Sequence, residues 1–113
     1  MYVPEHFAAN DADALIARLA RRWSGVLITI DADGAPVGTH MPILWDAEKR
    51  IATGHIARAN GQWKQGPGKG LIVLSGAAAY VTPSWYPAKA ENGKTVPTWN
   101  YEAVHITGRV EWF

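Results

Sequence analysis

Hydrophobic residues recur at helical spacing in only one stretch of this chain, and everything after it is cut into short β-like runs. Leu15, Ile16, Leu19 and Trp23 stand about one helical turn apart, the signature of an amphipathic helix. Asn10 is placed to cap it, and Asp11 and Asp13 fall in its first turn, where carboxylates complement the helix dipole. The spacing predicts one helix over about residues 11–22. From Gly25 onward the apolar runs are brief, β-branched and interrupted by turn residues, so one helix followed by strands is the expected order.

The strand readings follow the turns. Gly25 to Ile30 is a first run, and Asp31-Ala32-Asp33-Gly34 is a hairpin turn in which Gly34 supplies the positive φ. Val37 to Trp45 returns, with Pro42 marking an edge, a bulge or a strand end because it has no N–H to donate. Asp46-Ala47-Glu48-Lys49 turns again, and Arg50 to Ala57 is the next strand. Arg58 to Lys64 is read as one helical turn, and Gly66-Pro67-Gly68-Lys69-Gly70 as a loop. Leu71 to Ser75 and Ala78 to Thr82 are two further strands, residues 83–97 with Pro83, Pro87 and Pro97 are a long irregular loop, and a last strand runs from Trp99 to at least Val110. Six closely spaced antiparallel strands and one helix predict a mainly β fold, a small barrel capped by a helix.

Composition narrows the class. At 113 residues the chain is one domain, and 48% hydrophobic against 19% charged residues is a globular balance. There is no cysteine, which excludes disulfides and thiolate metal ligands. The formal charge is +1, so charge gives no support to direct DNA binding. The tight cluster Arg18, Arg21 and Arg22 falls where a helix C-terminus favours cations. The start, Met1 to His6, lacks the basic and apolar regions of a signal peptide, and no apolar run approaches the roughly 20 residues of a membrane span. A cytoplasmic location is the expectation. The end, Val110-Glu111-Trp112-Phe113, is apolar and aromatic, so residues 1–113 are expected to form a single domain truncated at its C-terminal end.

The chemistry-bearing residues leave alternatives open. The junction from Thr53 to Asn60 leads from a strand into a turn, with His55, Arg58 and, one turn on, Lys64. Such a junction is a cradle for one phosphate, or Arg58 and Asn60 only cap the turn. Gly61 and Gly66 have P-loop spacing, but Pro67 stands where lysine is required, so the motif fails. His40, His55 and His105 match no sequential metal-ligand spacing, although neighbouring strands can bring such residues together. Ser75 and Ser84 lack the flanking pattern of a serine nucleophile. Thr39-His40-Met41-Pro42 is a strand interrupted by proline, with backbone groups free for the polar edge of a flat ring, and Trp85, Trp99 and Tyr101 offer faces for it. Trp63, Trp85 and Trp99, in Gly/Pro-rich surroundings, line a binding wall or interface, or cap a barrel end.

Taken in order, several stretches are far more specific together: Met1 to Phe7, Thr39-His40-Met41-Pro42, His55 to Asn60 with Trp63-Lys64, Pro83-Ser84-Trp85-Tyr86, Val96 to Tyr101, and Val104 to Gly108. Over essentially the whole chain this set resembles the PaiB family, the FMN-binding negative transcriptional regulators. The resemblance implies an antiparallel split β-barrel like that of the pyridoxamine-phosphate oxidases, usually a homodimer with flavin at the interface. It implies that Arg58 and Asn60 match the flavin phosphate region and that Thr39, His40, Met41 and Pro42 match the strand beside the isoalloxazine ring. Trp99 and Asn100 would reach the site from the partner subunit. Family members continue beyond the position of Phe113. Function then stands as an FMN-binding regulator, a binding protein more than an enzyme. The alternatives are an FMN-dependent oxidoreductase, against which stands the lack of a nicotinamide fingerprint, and a flavin-free dimeric interaction or haem module with His40, His55 and His105 as axial candidates.

Overall fold

The computed structural model describes residues 1–85, 87 and 96–113. A 3-10 turn, Glu5–Phe7, precedes α1, Ala12–Arg22. The cap of α1 is Asp11, whose Oδ1 accepts from the Ala14 N–H at 2.9 Å. Asn10 therefore lies one residue outside the cap position expected from the sequence. Asp and Asn serve equally well as caps, and which one does so is set by where the chain turns.

Six strands follow: β1 (Gly25–Ile30), β2 (Pro36–Met41), β3 (Ile43–Asp46), β4 (Ile51–Gly54), β5 (Gly68–Val81) and β6 (Thr98–Val110). They form a four-stranded antiparallel sheet ordered β2-β1-β5-β6 and a two-stranded antiparallel ribbon β3-β4. Among the described residues the fold is mainly β with α1 as its one full α-helix, compatible with a split barrel. No helix among the described residues is long and apolar enough to cross a membrane.

Several strand boundaries differ from those the sequence predicts. The single run Val37 to Trp45 is two strands, because Pro42 ends the β1–β2 ladder at the Gly25–Met41 pair and turns the chain into β3. The two runs Leu71 to Ser75 and Ala78 to Thr82 are one strand, β5. Its pairing with β6 steps from Ser75–Ala103 to Ala78–Tyr101, leaving Gly76 and Ala77 opposite Glu102 alone, a β-bulge. Gly68 to Gly70, read as loop, is the start of β5, because β6 is long enough to pair with it through Val110, Arg109 and Gly108. The strand read over Arg50 to Ala57 is shorter, Ile51–Gly54. Of the loop read over residues 83–97, Pro83–Trp85 form a 3-10 turn, and Tyr86 with 88–95 lies outside the described residues.

The core sits between α1 and the inner faces of both sheets. Ile16 and Leu19 of α1 meet Leu27, Met41, Ile43 and Leu74, each contributing about 1.5–3 kcal/mol by leaving water. The helix lies against β3 and β5. Over the bulge it lies near enough that a Cβ on Gly76 would stand 2.6 Å from Leu19 Cδ2. A side-chain pair fixes the same contact from outside: Arg18 NH1 and NH2 donate to the two oxygens of Glu102. This bidentate pairing holds the Glu102 carboxyl below its ordinary value and raises Arg18 further.

Beyond the bulge, β5 and β6 pair with no third strand among the described residues, since β1 pairs only with Gly70 to Val73. The molecule is accordingly elongated, 58 × 34 × 22 Å, with a radius of gyration of 17.9 Å, against about 13 Å for a compact chain of this length. Tyr80, Trp99 and Tyr101 are more than half exposed on this projecting arm.

Candidate functional site

Between the ribbon and the main sheet lies an open cleft of about 880 Å³, within the usual range of small-molecule sites. Its floor is apolar and comes from both sheets: Leu27, Met41, Ile43, Ile72 and Ile106. These residues point inward by the period-two alternation of their strands. The rim carries Arg50, His55, Arg58 and Arg109, with Trp63 beside them.

The rim cations differ in their partners. Arg50 NH1 stands 3.5 Å from Asp13 Oδ1, a charge contact in which that oxygen accepts no hydrogen bond, and its guanidinium lies 5.7 Å from the Trp45 ring centre. Arg109 Nε donates to Glu111 at 3.0 Å. Arg58 has no carboxylate within 4.0 Å among the described residues. It is exposed, follows β4 at the cleft edge, and is the cation there that an external anion meets without competition.

The turn bearing Arg58 is tightly held. Asn60 N–H donates to Ala57 O at 2.8 Å, closing a turn around Arg58 and Ala59. A 3-10 helix, Gly61–Gln65, follows in place of the helical turn expected over Arg58 to Lys64. Asn60 caps it, its Oδ1 accepting from Gln62 N–H, while its Nδ2 donates to Thr39 Oγ1 at 2.9 Å. The Trp63 indole N–H donates to Arg58 O at 3.0 Å, and Lys64 Nζ lies 5.9 Å from the Trp63 ring centre.

The residues singled out in the sequence therefore divide. Met41, His55 and Arg58 line the cleft. Thr39 and Asn60 are bonded to each other and do not line it, with Asn60 serving as the cap of the turn. Lys64 is exposed on the same turn. His40 pairs with Val26 and is exposed, and Pro42 is exposed at the strand break. Trp99 and Asn100 pair with Tyr80 and Ala79 at the far end of the arm. Seven residues separate Trp99 from Ile106, about 23 Å of strand, so these two do not reach the cleft of their own chain. His40 and His105 lie on one row of the sheet with Val26 and Val73 between them. Among the described residues no three His, Asp or Glu side chains gather as metal ligands.

Sequence reasoning missed Gln62 and Thr29. Both are buried, and both join the 3-10 helix to the sheet: Gln62 Nε2 donates to Thr29 Oγ1 at 2.9 Å, and Thr29 Oγ1 donates to Gln65 Oε1 at 2.6 Å. A glutamine in a Gly-rich stretch reads as solvent-facing, and no local signal marks it otherwise.

Residues 1–113 match a family described as "Putative FMN-binding domain". The Protease synthase and sporulation protein PAI 2 of Bacillus subtilis is 32% identical over 113 residues, covering 96% of this chain and 52% of that protein. An uncharacterized protein of Saccharomyces cerevisiae is 27% identical over 129 residues, covering 96% of this chain and 76% of its own length. The chain thus spans about half the length of its Bacillus relative. An apolar floor, with an arginine at its edge that has no carboxylate partner among the described residues, suits a flat ring carrying a phosphate, and the chain belongs to the PaiB-like family of FMN-binding domains.

Proposed function

We propose that this chain is the FMN-holding part of a PaiB-like regulator, and that the cleft between the two sheets takes the flavin. One observation carries the reading: of the cations on the rim, Arg58 alone lacks a carboxylate among the described residues. The phosphate then sits at the Arg58 turn, with Lys64 and the strand-to-turn backbone nearby, and His55 at the edge. The isoalloxazine ring lies toward the floor beside Met41 and the Thr39-His40-Met41-Pro42 strand. Bound FMN would supply redox-active ring chemistry. The protein's own residues bind the phosphate, shield one face of the ring from water and orient it.

The site is completed by a second copy of the chain. The projecting β5–β6 arm exposes Tyr80, Trp99 and Tyr101, and an isolated two-stranded ribbon is marginal in water. Exposed aromatics of this kind are enriched at interfaces, and Trp99 and Asn100 approach the partner's cleft on this reading. Regulation is proposed by analogy with the relative named for protease synthesis and sporulation. With a formal charge of +1, any contact with DNA comes from a surface the dimer or the longer protein builds.

The test is an FMN titration followed by quenching of flavin fluorescence, with Arg58→Ala alongside. Saturation near one FMN per chain is expected, and the variant should bind about 1–3 kcal/mol more weakly, the range for a lost charge-assisted contact. Absence of binding by the wild type, or equal affinity in the variant, refutes the assignment. Sedimentation of Trp99→Ala/Tyr101→Ala, expected to shift toward monomer, tests the arm.

A further inference from the structure

The turn that carries Arg58 is tied to the sheet by polar contacts, and at their centre is one buried carboxamide. Gln62 is 2% exposed, and its Nε2 faces three acceptors of the β1–β2 pair: Thr29 Oγ1 at 2.9 Å, Val37 O at 3.1 Å and Leu27 O at 3.3 Å. Turning the amide over would set Oε1 against two carbonyl oxygens, so the neighbours themselves dictate its orientation. The Gln62 Oε1 is left buried without a partner, an unfavourable arrangement held by the donors on the other side. The contacts continue outward on both flanks. Thr29 relays to Gln65, Asn60 ties the start of the 3-10 helix to Thr39, and Trp63 grips the Arg58 carbonyl.

We infer that Gln62 is a positioning residue that holds the Arg58 turn in register with the cleft, and thereby sets the preference for a phosphorylated flavin over its unphosphorylated form. The inference rests on the proposed FMN site. Gln62 touches no ligand in this reading. Its effect passes through Asn60 and Trp63 to the position of Arg58, and only the phosphate senses that position. The ring, lying on Leu27, Ile43, Ile72 and Ile106, does not.

The experiment compares wild type and Gln62→Leu, a change of similar volume without the amide, in two measurements. The first is the ratio of FMN to riboflavin affinity by fluorescence titration. The expected result is an about tenfold loss for FMN, the scale of one to two hydrogen bonds, with riboflavin affinity unchanged. Equal weakening of both ligands, or an unchanged ratio, overturns the inference. The second needs no flavin: trypsin cleavage after Arg58 and Lys64, mapped by mass spectrometry, against cleavage after Arg21 and Arg22 as the internal reference. Faster cleavage at the turn alone supports the clamp, and unchanged cleavage overturns it. If wild type binds neither flavin, the FMN reading fails by itself and the proteolysis still decides whether Gln62 holds the turn. Should Gln62→Leu not fold, Gln62→Asn withdraws the amide by one methylene while keeping its polarity, and the same two measurements apply.

Discussion

Replacing Gly76 with alanine tests how α1 is seated on the sheet. The new Cβ would stand 2.6 Å from Leu19 Cδ2, 2.8 Å from Glu102 Oε2 and 3.1 Å from Glu102 Cβ. Carbon atoms pack best at about 3.5–4.0 Å, so Leu19 must yield by about 1 Å. Glu102 can swing aside, although that strains its pairing with Arg18. Leu19 is 0% exposed and enclosed by Leu27, Ile43 and Leu74, so it has nowhere to go without moving the helix. Overpacking of this kind costs about 1–3 kcal/mol. The alanine also restricts the unfolded chain, which returns about 0.4–1 kcal/mol, and a net loss of about 1–2 kcal/mol remains. For a domain near this size each kcal/mol lowers the melting temperature by about 4–8 °C. Urea and thermal unfolding of Gly76→Ala, Leu19→Val and the double variant give the coupling directly. Trimming Leu19 vacates the space the methyl needs, so Gly76→Ala should be nearly neutral in the Leu19→Val background. Strict additivity, or a Gly76→Ala protein as stable as wild type, would show that the helix does not sit over the bulge as described.

Other expected outcomes follow from single contacts. Asp11→Ala should lose about 1 kcal/mol as a helix cap is removed, whereas Asn10→Ala should change little; equal losses in chemical denaturation would return the cap to Asn10. Glu102 is held below its ordinary value by Arg18. Its contribution is therefore present above the unfolded carboxylate pKa and lost as pH falls through the depressed folded value. Arg18, raised from an already high value, adds no pH dependence below the alkaline range. Thermal melts from pH 7 to 3 should fall more steeply for wild type than for Glu102→Gln, and parallel curves would remove the pair from the account. Arg50 has φ 54°, a left-handed conformation that disfavours β-branched residues most. Arg50→Val should lose about 1–2 kcal/mol, while Arg50→Gly stays within about 1 kcal/mol of wild type as relief of strain offsets the exposed Asp13 contact; a valine variant matching the glycine variant in urea midpoint would contradict this.

Local interactions along the chain made several elements readable from residue order alone. Helical periodicity over Leu15, Ile16 and Leu19 marked α1, the Asp31–Gly34 turn set the first hairpin, and Pro42 announced a strand boundary. The ordered set of motifs carried the family, because residue identities in sequence are what a family shares. Of the candidate site residues, Arg58, His55 and Met41 line the cleft between the sheets, and Thr39 and Asn60 are bonded to each other. Other roles became visible only in the folded chain, wherever they depend on residues distant in sequence. Gly76 reads as a break between two strands until Leu19 and Glu102 are seen to press on it from 57 and 26 positions away. Gln62 looks like a solvent-facing loop residue until Leu27, Thr29 and Val37 are found around its amide. Arg50, Arg58 and Arg109 are alike as letters. Glu111 stands two positions from the third and is within its local reach, but only the folded chain brings Asp13 to the first and leaves the second without a carboxylate among the described residues, because an ion pair between remote residues exists only once the backbone has placed them.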